Sequence, residues 1–421
     1  MKNNQQTTFF QFFLQEIKPK GKVFTPFNLI SGLVVFTALV ILVFRFKDGL
    51  GSVTHASQEL PWGLWINFNV ITGVAFAGGA YVLTFMVYIL GMEKYKPIVR
   101  ATVLYALLAY IFYAGALLLD LGRPWKIMNP IIGNSFGLSA VIFLVAWHFI
   151  LYMGSLFIEF YPTVAEWATF KRQRKIFASM TLAVVIFGIA LSTLHQSGLG
   201  AIFLMAKAKI HALWYSEFIP ILFFISSIFA GLSLVIIIET INQRVFRNRM
   251  SFKHKSAHRS IILGLARTCS VAMFVYFTML VLVFLHGKNY SYLSTTWGYW
   301  YLVEVIGFVL IPCFMFLQAY RTRNLLLVRI ASFVAVFGII INRLNVTTIA
   351  YRWYDESFAW PTWQEVVVSI AVLFVQIWVY TWIINRMPVY NASPEWVEME
   401  EKKESITINK KERKKWMVSA E

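Results

Sequence analysis

The stretch IFASMTLAVVIFGIALSTLHQSGLG at residues 176–200 decides the fold class, because its apolar part is long enough to cross a lipid bilayer. A spanning helix needs roughly 20 predominantly apolar residues. The stretch ends in a polar triplet, His195, Gln196 and Ser197. Polar groups at membrane depth are costly and tend to be retained for function. The stretch therefore predicts a membrane protein with a polar site near one end of its helices.

Nine further segments have the same length and composition. The chain has 421 residues, of which 58% are hydrophobic and 14% charged, whereas a soluble domain carries roughly 25% charged residues. We predict an all-α polytopic protein of the cytoplasmic (inner) membrane with about ten transmembrane helices, the first being an uncleaved anchor. The segments are 27–46, 64–90, 101–121, 138–160, 176–198, 217–239, 263–286, 298–320, 325–346 and 363–386.

Basic residues cluster in the connections after the second, fourth, sixth and eighth segments. The net charge of +18 does not require nucleic acid, because positive charge in short connections is what membrane orientation demands. We expect no nucleic-acid partner and place both termini in the cytoplasm. Residues 1–26 form a cytoplasmic N-terminal segment, and residues 387–421 form a charged C-terminal tail. The basic half of this tail is suited to contact anionic membrane lipid.

The connections at the opposite face are richer in aromatic residues. Examples are ELPWGLW at 59–65, HALWYSEF at 211–218 and YLSTTWGYWY at 292–301. Because Trp and Tyr favour the headgroup level, an aromatic belt explains these stretches. A docking surface for a partner protein explains them equally well, and both interpretations stay open.

Four polar residues are candidates for contact with a ligand. His195 and Gln196 close the fifth segment and are the strongest of them. Asp120 closes the third segment, where it either serves a site or pairs with Arg123 at the helix end. His148 lies in the fourth segment, at a depth where no water is present to satisfy an imidazole.

Four charged residues within the segments form a candidate proton path. Glu304 in the eighth segment and Arg343 in the ninth fit proton handling and a buried structural ion pair equally well. Glu159 and Glu239 are expected to end the fourth and sixth helices at the cytoplasmic side, as partners of the basic loops.

Metal cofactors are not expected on this chain. The two cysteines, Cys269 and Cys313, are far apart in apolar segments, which excludes a cysteine-ligated iron–sulfur cluster. A membrane b-type haem needs two facing histidines. His148 and His195 differ in depth by about half a dozen residues, and no second stacked pair exists. We therefore expect no haem.

The outer ends of segments two to five match the needs of a quinone. Quinone reduction takes two electrons and two protons, so a site needs hydrogen-bond donors at the carbonyl oxygens and an acid–base path to water. It also needs apolar walls. These segments supply the residue types, and the electrons must come from another protein of a complex.

The chain resembles the NrfD/polysulfide reductase membrane-subunit family, and within it the HybB-like branch found with respiratory hydrogenases. The most specific motifs are LHQSGLG with HALWYS and the corner LDLGRP at 119–124. Matching stretches run through almost the whole chain: PWGLWINFNVITGVAFAGGA (61–80), KYKPIVRATVLYALL (94–108), LLDLGRPW (118–125), LYMGSLFIEFYPTV (151–164), STLHQSGLG (192–200), KIHALWYSEFIPILF (209–223), NRLNV (342–346) and WPTWQE (360–365).

The resemblance implies a ten-helix domain over 27–386, with one four-helix bundle at 64–198 and a second at 217–346. It also implies a quinone pocket near the outer face and an extracytoplasmic four-cluster ferredoxin-like iron–sulfur partner, with a separate catalytic subunit. His195, Asp120 and Trp65 carry over as quinone-side residues, and some members are suspected of moving protons. The quinone would be menaquinone or ubiquinone.

The sequence departs from the family pattern at two acids. The HybB-like pattern often has aspartate where Asn69 stands and glutamate near Leu144. Asn69 can hydrogen-bond a quinone carbonyl but cannot relay a proton. His148, one turn on from Leu144, either takes over that duty or serves only packing. The alternative functions are a proton or solute transporter and a purely structural membrane anchor.

Overall fold

A computed structural model describes residues 9–20, 23–57, 63–132, 139–355 and 360–390. Within these ranges the chain is helical and has no strand; an isolated antiparallel bridge joins Ile210 and Tyr351. The tail from 391 onward and part of the first aromatic connection, including Pro61 and Trp62, lie outside the described residues.

Ten helices in the described residues are long and apolar enough to span a membrane, which confirms the predicted fold class. A short additional helix, Phe9–Ile17, precedes them. The spanning helices are α1 Pro26–Asp48, α2 Trp65–Ile89, α3 Lys96–Asp120, α4 Val141–Trp167, α5 Lys171–Ile202, α6 Ile219–Val245, α7 Phe252–Gly287, α8 Thr296–Thr322, α9 Leu325–Ile349 and α10 Trp363–Ile384.

Several helices run past their apolar segments into the basic connections. Helix α5 begins at Lys171 and helix α7 at Phe252, well before the apolar part of each. Lysine and arginine are good helix formers, so charge does not end these helices. The prediction that Glu159 and Glu239 end their helices is wrong, because α4 continues to Trp167 and α6 to Val245.

The helices pack in two rings of four. Helices α2, α3, α4 and α5 contact one another in turn, as do α6, α7, α8 and α9, and the rings meet through α2 with α6 and α5 with α6. Helix α10 packs on α1, on α3 and on the first turns of α2. Large apolar side chains remain exposed around the outside, and only 17% of the apolar core of α1 is buried. The chain is a multi-pass integral membrane protein.

The rings join at a glycine contact between α2 and α6. A Cβ atom added to Gly231 would lie 2.0 Å from the backbone nitrogen of Gly79, and one added to Gly78 would lie 2.8 Å from the carbonyl oxygen of Ser227. Small residues of this kind let helix backbones approach closely in membranes. Beside the contact, the Tyr81 and Ser227 hydroxyls share a hydrogen bond of 3.0 Å.

Four stretches within the spanning helices are π-helical. They are Trp65–Thr72 and Phe85–Ile89 in α2, Val303–Leu310 in α8 and Asn345–Ile349 in α9. A π turn adds a residue to the helical turn and often occurs at functional sites. Three of the four carry buried polar side chains that make the contacts described below.

The two ends of the helix assembly differ in charge. One end, here the basic face, carries the connections after α2, α4, α6 and α8, and the other, the aromatic face, carries the connections rich in Trp and Tyr. At the basic face the fully buried carboxylate of Glu166 accepts from both terminal nitrogens of Arg100, at 2.9 and 3.0 Å, and from Arg174 Nε at 2.8 Å. This ion cluster ties α3, α4 and α5 together. The positive-inside rule predicts that the basic face is cytoplasmic.

Candidate functional site

Two buried carboxylates meet just inside the aromatic face, and we call them the acid pair. They are Asp120, the last residue of α3, and Glu365, in the first turn of α10. Both lie against Gly63: a Cβ atom there would be 2.7 Å from Glu365 Oε1 and 3.2 Å from Asp120 Oδ1. Only glycine leaves room for this approach.

The members of the acid pair differ in how they are satisfied. Glu365 accepts from the backbone N–H of Leu64 at 2.8 Å and from that of Thr362 at 2.9 Å, while Thr362 caps the helix in return. Asp120 Oδ1 is buried and has no hydrogen-bond partner. The cation beside Asp120 is Arg45 of α1, not the predicted Arg123. Arg45 donates to the carbonyl oxygens of Leu119 and Leu121 and so caps the end of α3.

The π-helical start of α2 adjoins the acid pair. Trp65 is fully buried and donates its indole N–H to the Glu365 carbonyl oxygen at 3.0 Å. Asn69 donates to Ser369 Oγ of α10 at 3.3 Å, and its Oδ1 has no partner. The structure therefore brings the predicted residues Trp65, Asn69 and Asp120 together at α10.

His195 lies in a second buried group, which we call the histidine pocket. Its Nδ1 is 3.2 Å from the Val145 carbonyl oxygen of α4, and its ring packs between Tyr110 and Phe149, with centroids 5.8 and 5.5 Å away. Its Nε2 is buried and has no partner. The Val145 carbonyl oxygen thus holds the imidazole at Nδ1, and Nε2 is left without a hydrogen-bond partner.

Three hydroxyl groups extend the histidine pocket toward the middle of the helices. The Tyr110 and Tyr152 hydroxyls approach that of Ser192, but none of the three makes a hydrogen bond of ordinary geometry. Buried polar groups are nearly always satisfied, so such a group points to water or a ligand. Tyr110, Tyr152 and Ser192 are not among the sequence candidates, because a hydroxyl in an apolar segment gives no distinctive signal.

Helix α2 lies between the acid pair and the histidine pocket. Gln196 donates to the Val74 carbonyl oxygen of α2 at 2.8 Å, five residues beyond Asn69. His148 is half-buried in α4, where its Nδ1 has no partner and its ring interacts electrostatically with His195. The six predicted quinone-side residues are therefore divided between the two groups, with Trp65, Asn69 and Asp120 at the acid pair and His195, Gln196 and His148 at the histidine pocket.

Glu304 lies in a third buried group, in the second ring. Its carboxylate accepts from Trp214 Nε1 at 2.7 Å, from Asn342 Nδ2 at 2.6 Å and from Asn345 Nδ2. Arg343 does not touch Glu304 directly, since it donates to Asn342 Oδ1 at 2.7 Å and to Ser226 Oγ at 2.6 Å. Each of these three contacts of Glu304 is with an N–H donor.

His211 lies above the Glu304 group, in the connection between α5 and α6. Its ring is surrounded by Trp214, Tyr292, Trp297 and Trp353, with centroids between 4.8 and 5.6 Å away. Burial among these rings lowers the pKa of His211 to about 4, so the imidazole is neutral at pH 7. Its Nδ1 accepts from the Leu213 N–H at 3.2 Å, which fixes the ring.

The two remaining acids lie toward the basic face. Glu239 is buried and accepts at 2.6 Å from Nε2 of His254, with His258 Nδ1 3.5 Å away. Its partners are thus two histidines of α7, not the lysines and arginines of the loop. Glu159 lines a cavity of about 160 Å³ together with Arg100 and Glu166, and its Oε1 has no partner.

Comparison with known proteins identifies the family. The sequence model of polysulphide reductase, NrfD matches residues 52–353. The chain belongs to the NrfD family. It is 36% identical to a protein of Nitratidesulfovibrio vulgaris over 91% of this chain and 99% of the relative.

Two further relatives carry functional names. A probable Ni/Fe-hydrogenase 2 b-type cytochrome subunit of Escherichia coli is 26% identical over 88% of this chain and 93% of its own length. A selenate reductase subunit of Mesobacillus selenatarsenatis is 20% identical over 88% of this chain and 95% of its own length. These similarities support a membrane subunit of a respiratory oxidoreductase.

The name of the E. coli relative raises the question of haem. In the described residues no group of three or more His, Cys, Asp or Glu side chains is placed to hold a metal ion. A bis-histidine haem needs two imidazoles facing one iron. His195 is packed between two aromatic rings, His211 is enclosed by four, and His254 and His258 both face Glu239. Each of these four histidines is in contact with other side chains of the protein.

Proposed function

We propose that this chain is the quinone-reactive membrane subunit of a respiratory oxidoreductase complex. It exchanges electrons between quinone in the bilayer and an extracytoplasmic ferredoxin-like iron–sulfur subunit, which connects it to a catalytic subunit. The chain is not catalytic alone. The proposal is supported by membership of the NrfD family and by relatives named as subunits of a hydrogenase and a selenate reductase.

The observation that carries the proposal is the histidine pocket. His195 Nε2 is buried without a partner, and the hydroxyls of Tyr110, Tyr152 and Ser192 are buried close to one another without a hydrogen bond of ordinary geometry. Quinone carbonyl oxygens accept hydrogen bonds, and the hydroxyls can donate them. His195 donates from Nδ1 to the Val145 carbonyl oxygen, so its Nε2 is an acceptor and suits the hydroxyl of a quinol. Phe149 and Tyr110 provide apolar walls for the ring. The acid pair, on the other side of α2, is placed to exchange the protons that accompany the electrons.

In this proposal electrons enter or leave through the aromatic face, because both buried groups lie toward that end of the helices. His195 lies two turns from the aromatic-face end of α5, and the acid pair lies at the corresponding ends of α3 and α10. A partner docked on the aromatic connections would therefore be near both groups. We assign the aromatic face as the docking surface for the iron–sulfur subunit.

The first test is purification from native membranes in mild detergent, with mass spectrometry of co-eluting proteins and extracted lipids. We expect a ferredoxin-like subunit and bound quinone. The second test replaces His195 with alanine. Loss of a buried acid–base group costs roughly 10²-fold or more in rate, so quinone-linked turnover should collapse while the complex still assembles.

The matched control is His286→Ala, which removes an exposed histidine at the end of α7. It should leave turnover unchanged. An assembled His195→Ala complex with normal turnover would remove His195 from the quinone site. A chain that elutes alone, without quinone, would favour the transporter alternative.

A further inference from the structure

Helix α10 carries a buried polar stripe along its whole length. Glu365, Ser369, Gln376 and Tyr380 follow one another at intervals of four, seven and four residues, which places them on one face of an α-helix. Glu365, Ser369 and Gln376 are at most 5% exposed. Polar residues inside a spanning helix are costly and rarely serve packing alone. The stripe therefore needs a functional explanation.

Helix α3, which packs beside α10, carries a second stripe of polar residues. Four polar residues recur on one face of α3 and lie inside the protein: Asp120, Tyr113, Tyr105 and Thr102. Tyr105 interacts with the Tyr113 hydroxyl and lies near Tyr380 of α10. Tyr113 also lies against Gly73 of α2, so the two tyrosines connect α2 with the part of α10 near Tyr380.

At the basic face the stripe continues into the histidine cluster of α7. Asn242 donates to the Tyr380 hydroxyl at 2.8 Å, and Glu239, one turn before Asn242, bonds His254 at 2.6 Å. Glu239 and Tyr105 line the same small cavity, which has the size of about one water molecule.

At the aromatic face the stripe ends at the acid pair. Ser369 accepts from Asn69, and Glu365 and Asp120 meet over Gly63. Three buried oxygens along the way have no partner: Asp120 Oδ1, Asn69 Oδ1 and Gln376 Oε1. Unsatisfied buried oxygens of this kind are where ordered water is expected.

We infer that these residues form a proton line through the membrane, running from the Glu239–His254–His258 cluster to the acid pair along the α3–α10 seam. The inference rests on the proposed function, because the line supplies or removes the protons of quinone chemistry. Each quinol oxidised gives two electrons to the iron–sulfur partner and two protons to the line. The line delivers those protons to the basic face. Quinone reduction reverses every step.

The test uses the whole complex in lipid vesicles, with a short-chain quinol as donor and ferricyanide outside as acceptor. Two ferricyanide ions take the two electrons of each quinol. Because ferricyanide does not cross the membrane, only complexes whose aromatic face points outward turn over. A pH-sensitive dye trapped inside then reports the face at which protons emerge.

We expect the wild-type complex to acidify the vesicle interior by two protons per quinol. Gln376→Leu and Tyr380→Phe should lower turnover by about 10²-fold, the lower end of the loss expected when proton transfer is interrupted. The KM for quinol should stay within about twofold of the wild-type value, because neither residue touches the histidine pocket. A damaged fold would change both the turnover rate and the KM. Tyr320→Phe, at the exposed end of α8, is the matched hydroxyl deletion and should be neutral.

The outcomes separate the two proposals. Proton release outside the vesicles, or normal turnover and internal acidification in both α10 variants, would overturn the proton line and leave the quinone proposal standing. A wild-type complex that reduces no ferricyanide from quinol would overturn both.

Discussion

The glycine contact between α2 and α6 should be among the most sensitive points of the fold. A Cβ atom at Gly231 would lie 2.0 Å from Gly79 N, 2.6 Å from Gly79 Cα and 2.7 Å from the carbonyl carbon of Gly78. All three are backbone atoms, so no side chain can rotate away. To restore contacts near 3.4 Å the two helices must separate by roughly 1.4 Å, which removes dispersion contacts along their interface.

Gly231→Ala should therefore destabilise the protein by about 1–3 kcal/mol, the usual cost of overpacking. The control is Gly115→Ala in α3, where an added Cβ meets nothing within 4 Å. That substitution should be neutral or stabilising by about 0.5–1 kcal/mol, because alanine favours the helix.

The assay is thermal unfolding of the purified chain in one detergent, followed by tryptophan fluorescence. Gly231→Ala should unfold at a lower temperature than the wild type, and Gly115→Ala at the same or a higher temperature. If both variants unfold like the wild type, α2 and α6 do not cross at these glycines.

Two other substitutions test the second ring. Glu304→Gln places an amide N–H among three donors, so we expect the free energy of unfolding to fall by about 3 kcal/mol. Normal stability with abolished turnover would instead show that Glu304 handles protons. Burial lowers the pKa of His211 to about 4 from 6.5. The neutral imidazole therefore contributes its full stabilisation above about pH 6.5, and this stabilisation is lost as the pH falls toward 4. The melting temperature should fall between pH 7 and pH 5, and His211→Phe should reduce that fall; an equal fall in the variant would place the pH dependence elsewhere.

The ten helices can be predicted from sequence because the bilayer sets their length. A spanning helix must satisfy its backbone internally over about 20 residues, and each apolar segment coincides with a helix of the structure. The ends at the basic face cannot be placed in the same way. Charged residues continue a helix as readily as they begin a loop, and the helix ends predicted at Glu159 and Glu239 are wrong.

The candidate site can be predicted only in part, because its residues are distant in sequence. The sequence singles out Asp120 but not Glu365, its neighbour in the acid pair, which lies 245 residues further along. The one signal is local: the run Thr-Trp-Gln-Glu at 362–365 is a capping box at a helix start. A capping box explains Glu365 without any site, so only the fold shows that its carboxylate also faces Asp120.

The π-helical start of α2 illustrates a second limit of sequence reasoning. Trp65 and Asn69 both contact α10, while Asn67 donates to Thr348 of α9 at 2.8 Å. An α-helical interpretation of 64–90 assigns one register to the whole segment. The wider turns before Gly73 change that register, so the face that carries Asn69 cannot be derived from periodicity alone.

The length of the polar stripe on α10 has an energetic consequence. The stripe on α10 runs 15 residues from Glu365 to Tyr380, about 22 Å at 1.5 Å per residue. That is most of the roughly 30 Å hydrocarbon core. If electrons leave quinol at the aromatic face and protons leave at the basic face, each turnover moves two charges across the membrane field. Moving one charge through 100 mV corresponds to about 2.3 kcal/mol. The same complex with protons exchanged at the aromatic face would not sense the membrane potential. The position of the proton line, and not the chemistry of the histidine pocket, therefore decides whether this protein conserves energy.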